Sequence, residues 1–109
     1  MDSILTSIKQ MLGITKEYAQ FDNELIMHIN TAFLSLTQLG VGPAEGFMIE
    51  DDSDEWFDFI GDSTLLQAVK TCMYLKVKLI FDPPLSSSVE ASMTRQIAEL
   101  EWRLNAAVE

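Results

Sequence analysis

The run Ser63–Pro84, STLLQAVKTCMYLKVKLIFDPP, limits what this chain can become more than any other stretch. Its apolar residues recur at helical spacing, and Pro83-Pro84 stops whatever they build. A proline has no amide to donate, and it pushes the preceding residue, Asp82, out of the α region. The predicted helix covers 63–81, capped by the side chain of Asp62 or Ser63. At about 1.5 Å per residue it is roughly 28 Å long, enough to cross a small domain. Leu66, Val69, Met73, Val77 and Ile80 form one apolar face, and Leu65, Cys72, Leu75 and Leu79 form another. A helix apolar on two faces needs cover on two sides. In a chain of 109 residues, one of those sides is open to cover by another subunit.

Caps and breakers place the other elements. A first helix over 2–12 carries Ile4, Leu5, Ile8, Met11 and Leu12 at helical spacing, with Gly13 as its stop. A second, over 22–39, starts from Asp22 as cap. Its stripe is Leu25, Ile29, Phe33 and Leu36, widened by Ile26 and Leu34, and Gly40 and Gly42-Pro43 end it. Phe47-Met48-Ile49 has the composition of a very short strand or extended segment. A short helix over 53–60 is expected to carry Trp56, Phe57 and Phe59, with Asp52 or Ser53 as cap and Glu55 as reciprocal partner. The last helix, 87–106, opens on a Ser87–Glu90 capping box and buries Val89, Met93, Ile97, Leu100 and Leu104. With the central helix it makes an αα-hairpin. The fold class that follows is mainly all-α: one small helical bundle over 1–109.

Charge argues against tight, sequence-specific binding to nucleic acid. Seven basic residues against 17 acidic ones leave a net charge of −10, whereas tight nucleic-acid binding needs Lys and Arg to neutralise phosphates. A protein that surrounds DNA without gripping it stays open. The lone Cys72 can form no internal disulfide, which fits a reducing compartment. No signal peptide or membrane span is expected, because Lys70, Lys76 and Lys78 interrupt the longest apolar run.

Enzyme chemistry finds no foothold in the residues. Read as a calcium loop from Asp51, the acidic run Glu50–Glu55 puts Ser53 and Glu55 at suitable offsets. It then fails, with Trp56 where a Gly is required and Asp62 where a bidentate Glu is expected. His28 has no second His or Cys to share a metal with, and Cys72 has no activating base. No cofactor, metal or catalytic residue is assigned. Two features do exceed ordinary packing. One is the aromatic group Trp56, Phe57 and Phe59, of which a single short helix can bury only one or two; it reads equally as an interface or as a lid over the chain's own core. The other is the back of the last helix, where Ala91, Arg95, Ala98 and Trp102 fall at spacings of four, three and four. Aromatic and Arg anchors behind small residues suit contact with another chain.

Taken in order, FDNELIMHINTAFLSLTQLG, GVGPAEGFMI, DSDEWFDF, LKVKLIFDPP and SSSVEASMTRQIAELEWRLN resemble the head–tail connector (adaptor) family of long-tailed double-stranded DNA bacteriophages. The resemblance covers nearly the whole chain. It implies a non-enzymatic structural protein of the virion, made in the host cytoplasm. Such a subunit forms a ring of about twelve copies, a heterologous assembly in which the two contacting faces differ. The ring sits beneath the portal protein, extends the DNA channel and carries the tail-completion or stopper protein. DNA passes through without specific binding, and an acidic wall would let it slide. Under this reading the subunit and partner interfaces use Phe47, Met48, Ile49, Trp56, Phe57, Phe59, Arg95 and Trp102. Lys70, Lys76 and Lys78 are then available for channel or inter-subunit contacts. The alternative is a small helical DNA-packaging or DNA-binding regulator of the terminase accessory type. It would need a basic helix, and the last helix offers only Arg95 and Arg103 against Glu90, Glu99 and Glu101.

Overall fold

Five helices follow one another in the computed structural model, which describes residues 2–108: α1 (Ile4–Met11), α2 (Asp22–Gln38), α3 (Trp56–Ile60), α4 (Leu66–Phe81) and α5 (Ser87–Val108). The fold is all-α. Among the described residues the β contribution is a single isolated bridge between Ser3 and Glu55. Of the two forms expected for Phe47–Ile49, a very short strand or an extended segment, no strand forms. Asn30 of α2 removes the need for one, since its side-chain oxygen accepts from the Ile49 amide at 2.8 Å and its Nδ2 donates to the Ile49 carbonyl at 3.1 Å. A side chain thus satisfies backbone groups that a strand partner would otherwise have to meet.

α4 is the centre of the bundle. It packs against α2 and α5 and also touches α1. Val69, Cys72, Met73, Leu75 and Val77 are buried, so both of its apolar faces find cover within the same chain. Cover from another subunit is not required there. Ile80, placed on the central stripe by spacing, is 58% exposed, because it lies in the last turn before Pro83. The αα-hairpin of α4 and α5 holds through Met93 and Leu104, which are buried, while Val89 stays outside the core. Lys76 reaches across the hairpin to Glu101 at 2.5 Å.

The ends of the helices show where side chains competed for the backbone. α2 closes through a pair of bonds from Gly40 to Thr37 and from Val41 to Leu36. Gly40 supplies the positive φ that this closure demands, and Val41 tucks back into the core beneath Leu36. The start of α4 lies at Leu66 rather than at 63. Ser63 is spent on a turn, its Oγ accepting from the Leu65 amide at 3.0 Å. α5 begins at Ser87 as expected, but the hydroxyl that reaches the first-turn amides belongs to Ser86, which accepts from Val89 at 3.4 Å. The expected Ser87–Glu90 box is therefore not the cap.

One ion pair in the core was not legible from the pattern. Lys9 of α1 is 2% exposed, and its Nζ lies 2.8 Å from Asp22 and donates to the Lys16 carbonyl at 3.0 Å. Asp22, expected as the cap of α2, instead sits in its first turn and neutralises this buried cation. Phe21 takes the cap position, and its ring stacks edge-on with Phe81 at 5.3 Å.

Candidate functional site

The acidic run and the aromatic helix behind it fold as one unit. Asp51 accepts from both the amide and the hydroxyl of Ser53, at 2.8 and 2.5 Å, and these bonds hold its carboxyl below the usual carboxylate range. Asp54 accepts from the amides of Glu50 and Asp51. With those carboxylates committed to the loop, α3 starts late. Its cap is Glu55, closed by a reciprocal bond with Asp58, and not Asp52 or Ser53. The backbone of the loop is pinned to the N-terminal segment by Ile4 donating to Asp54 and Trp56 donating to Asp2.

This anchoring drives Trp56 and Phe59 inward. Phe33, Phe47, Trp56 and Phe59 form a nest around Phe33, with ring centroids 5.1, 6.2 and 4.6 Å from it in turn. The indole Nε1 of Trp56 donates to Ser7 Oγ at 2.8 Å, so its one polar atom is satisfied inside the chain. Of the residues expected at interfaces, Ile49, Trp56 and Phe59 are thus covered by their own chain, and Phe47 is packed against the same core. They build the surface but are not on it. Met48 and Phe57 are on it, 70% and 66% exposed.

The back of α5 is the second exposed face. Ala91, Arg95, Ala98 and Trp102 are all exposed, Trp102 to 70%, and nothing from the chain packs over them. The structure brings Arg95 and Trp102 together on one side of a helix two turns apart. It does not bring them to the aromatic nest, which lies against α2 and α3.

A third surface was missed by the pattern. Leu34, read as widening the core stripe of α2, is 61% exposed, and Met27 on the same outer side is 69% exposed. Together with Met48 and the half-buried Phe47, Leu34 lines a groove between α2 and the segment 45–48, bordered by Thr31, Thr37 and Glu45. Helical geometry held the signal. Met27 and Leu34 are seven apart and sit opposite Leu25, Ile29 and Phe33, so one stripe could not have held both sets.

The lysines are committed elsewhere. Lys70 pairs with Asp2 and lies 5.8 Å from the Trp56 ring, Lys76 pairs with Glu101, and Lys78 meets both the side chain (3.1 Å) and carbonyl of Asp82. Arg103 pairs with Glu99 at 3.0 Å. No basic stripe is presented on α5 for a DNA groove. Burial, aided by the nearby Glu101 charge, pushes the Cys72 thiol up to about 11, which leaves it protonated and unreactive near neutral pH. Among the described residues no group of three or more His, Cys, Asp and Glu is arranged to hold a metal ion, and no helix is long and apolar enough to cross a membrane.

The chain thus leaves two apolar surfaces uncovered, the outer face of α5 and the groove beside α2. A family model described as phage connector protein matches residues 4–109. No curated protein and no solved structure matches the chain.

Proposed function

The chain belongs to the phage connector protein family, and from that premise we propose that its copies form a ring beneath the portal, where they extend the DNA channel and carry the tail-completion protein. The structural connector role belongs to the family as a whole. The ring, the portal contact and the channel are the finer reading. The observation that supports them is the outer face of α5. A solvent-facing Trp beside an Arg, flanked by alanines, is expensive to leave in water and well suited to a close protein contact. The charge fits as well. Five of the seven Lys and Arg side chains are paired with the chain's own carboxylates, so a channel wall built from this subunit would be neutral or acidic and would not retain DNA by counterion release.

Native mass spectrometry across a wide range of protein concentration tests the reading, followed by a pull-down with the cognate portal. A closed species near a dozen subunits, or capture by the portal, is the expected result. A chain that neither associates with itself nor binds the portal would end the proposal. Retention of the chain on DNA in a low-salt gel shift would favour the DNA-binding regulator in its place.

A further inference from the structure

Two exposed faces of this subunit differ in the way a donor and an acceptor differ. The groove of α2 and segment 45–48 is concave, lined by Leu34, Phe47 and Met48, with Glu45 at its edge. Thr37, also in its lining, has an Oγ1 closed off from solvent that finds no hydrogen-bond partner among the described residues. The outer face of α5 is convex, flattened by Ala91 and Ala98 and anchored by Trp102.

Charge connects the two. In a subunit of net charge −10, only Lys16 and Arg95 make no ion pair among the described residues. Lys16 lies in a cleft lined by Asp2, Asp52 and Glu55, so its field is already balanced locally. Arg95 is different. The carboxylate one turn along, Glu99, is taken by Arg103. Arg95 is therefore a free cation on an apolar face, in a molecule whose apolar groove has an acidic edge. Resting on the connector reading above, we propose that the outer face of α5 in one copy seats in the α2/45–48 groove of the next. Trp102 fills the groove against Leu34 and Met48, and Arg95 meets Glu45 at its edge. The two surfaces belong to different helices, so each copy can give its α5 face to one neighbour and its groove to the other. That contact is heterologous, and repeated around an axis it closes into a ring. A reciprocal two-fold pair would instead give the double variant a dimer with no ladder and overturn the proposal.

Cross-linking with a short bismaleimide tests this on the full chain. The native Cys72 is buried and its thiol is held protonated, so it does not compete. Thr31→Cys marks the groove and Ala98→Cys marks the α5 face; both positions are exposed and leave Trp102 and Met48 in place. The expected result is a ladder of oligomers from the double variant, and dimers from a mixture of the two single variants but from neither alone. Dimers from either single variant by itself would show a symmetric contact and overturn the proposal. So would absence of the ladder from a chain that native mass spectrometry shows to be assembled, which would leave the connector reading standing. Absence of any self-association overturns it too, and the connector reading then rests on portal capture. Charge reversal gives an independent readout. Arg95→Glu is expected to weaken self-association by about tenfold or more, and adding Glu45→Arg on the same chain to restore most of it. Equal weakening by the single and the double variant would place Arg95 against something other than this edge.

Discussion

The region around Trp56 and the region around Trp102 carry the same kind of side chain to opposite ends. Around Trp56, four aromatic rings interlock, the indole N–H is bonded to Ser7, and the helix that bears them is pinned by the acidic loop in front of it. Around Trp102 there are alanines, an arginine and solvent. The first region converts aromatic area into folding stability. The second leaves its indole 70% exposed to solvent, outside the core. By residue type alone the two look alike, each an aromatic group available to an interface. The difference is set by what precedes each of them: a loop closed by its own Asp51 and Asp54 carboxylates, against an uninterrupted helix whose outer face is exposed.

The sharpest way to break this comparison is Trp56→Ala. Removing a fully buried indole from the nest is expected to cost about 3–5 kcal/mol of unfolding free energy, read from urea titration, because the cavity cannot close around Phe33 and Phe59. A loss below about 1 kcal/mol would show that the nest is loosely packed and that the contrast is false. Next in size is Asp22→Asn. It leaves the buried Lys9 beside a neutral amide; because the Asp22 side chain keeps 29% of its surface in solvent, the loss is expected at about 2–3 kcal/mol, below that of a fully buried pair. Lys9→Met, which removes the cation as well, is expected to cost clearly less. If the two cost the same, the pair is not the buried ion pair described here.

Gly42→Ala comes third. The position has φ +81°, and a Cβ there would stand 2.4 Å from Cε1 of the Phe59 ring. Backbone strain and the displaced ring together should cost about 2 kcal/mol, visible as a lower midpoint of thermal unfolding. The nest would take that penalty and the α5 face would not. A Gly42→Ala variant whose Trp102 surroundings change, by fluorescence, as much as its Trp56 surroundings would show that the two regions are coupled.

Much of the fold was legible because long apolar periodicities survive tertiary packing. The stripes of α2 and α4 and the stop at Pro83 hold, apart from Leu34 on the outer side of α2 and Ile80 in the last turn of α4. What was not legible depended on long-range partners. Asn30 takes over both backbone groups of Ile49, and no local pattern of residues 47–49 could reveal that. Asp22 looks like a cap until Lys9 arrives from another helix. At the candidate site, the α5 face could be read directly, since Arg95 and Trp102 need only helical spacing to be placed together. The groove could not, because it is made by Met48 and Phe47 folding back over the outer side of α2.

The smallest expected effect on folding is the most informative. Trp102 is 70% exposed and is not among the side chains packed against the core, so Trp102→Ala should leave the unfolding free energy within about 0.5 kcal/mol of the wild-type chain. If the indole is an interface anchor, the same substitution should weaken association by a few kcal/mol, because anchors of this type dominate protein contacts. The two measurements together separate the roles that one alone would confuse. A large loss of stability would mean that Trp102 is structural after all and that the two tryptophan regions do not differ in kind. Unchanged stability with unchanged association, in both the self-assembly and the portal assays, would mean that its exposure serves neither contact. Unchanged stability with lost association is the expected result: area withheld from the fold and spent only when a second chain arrives.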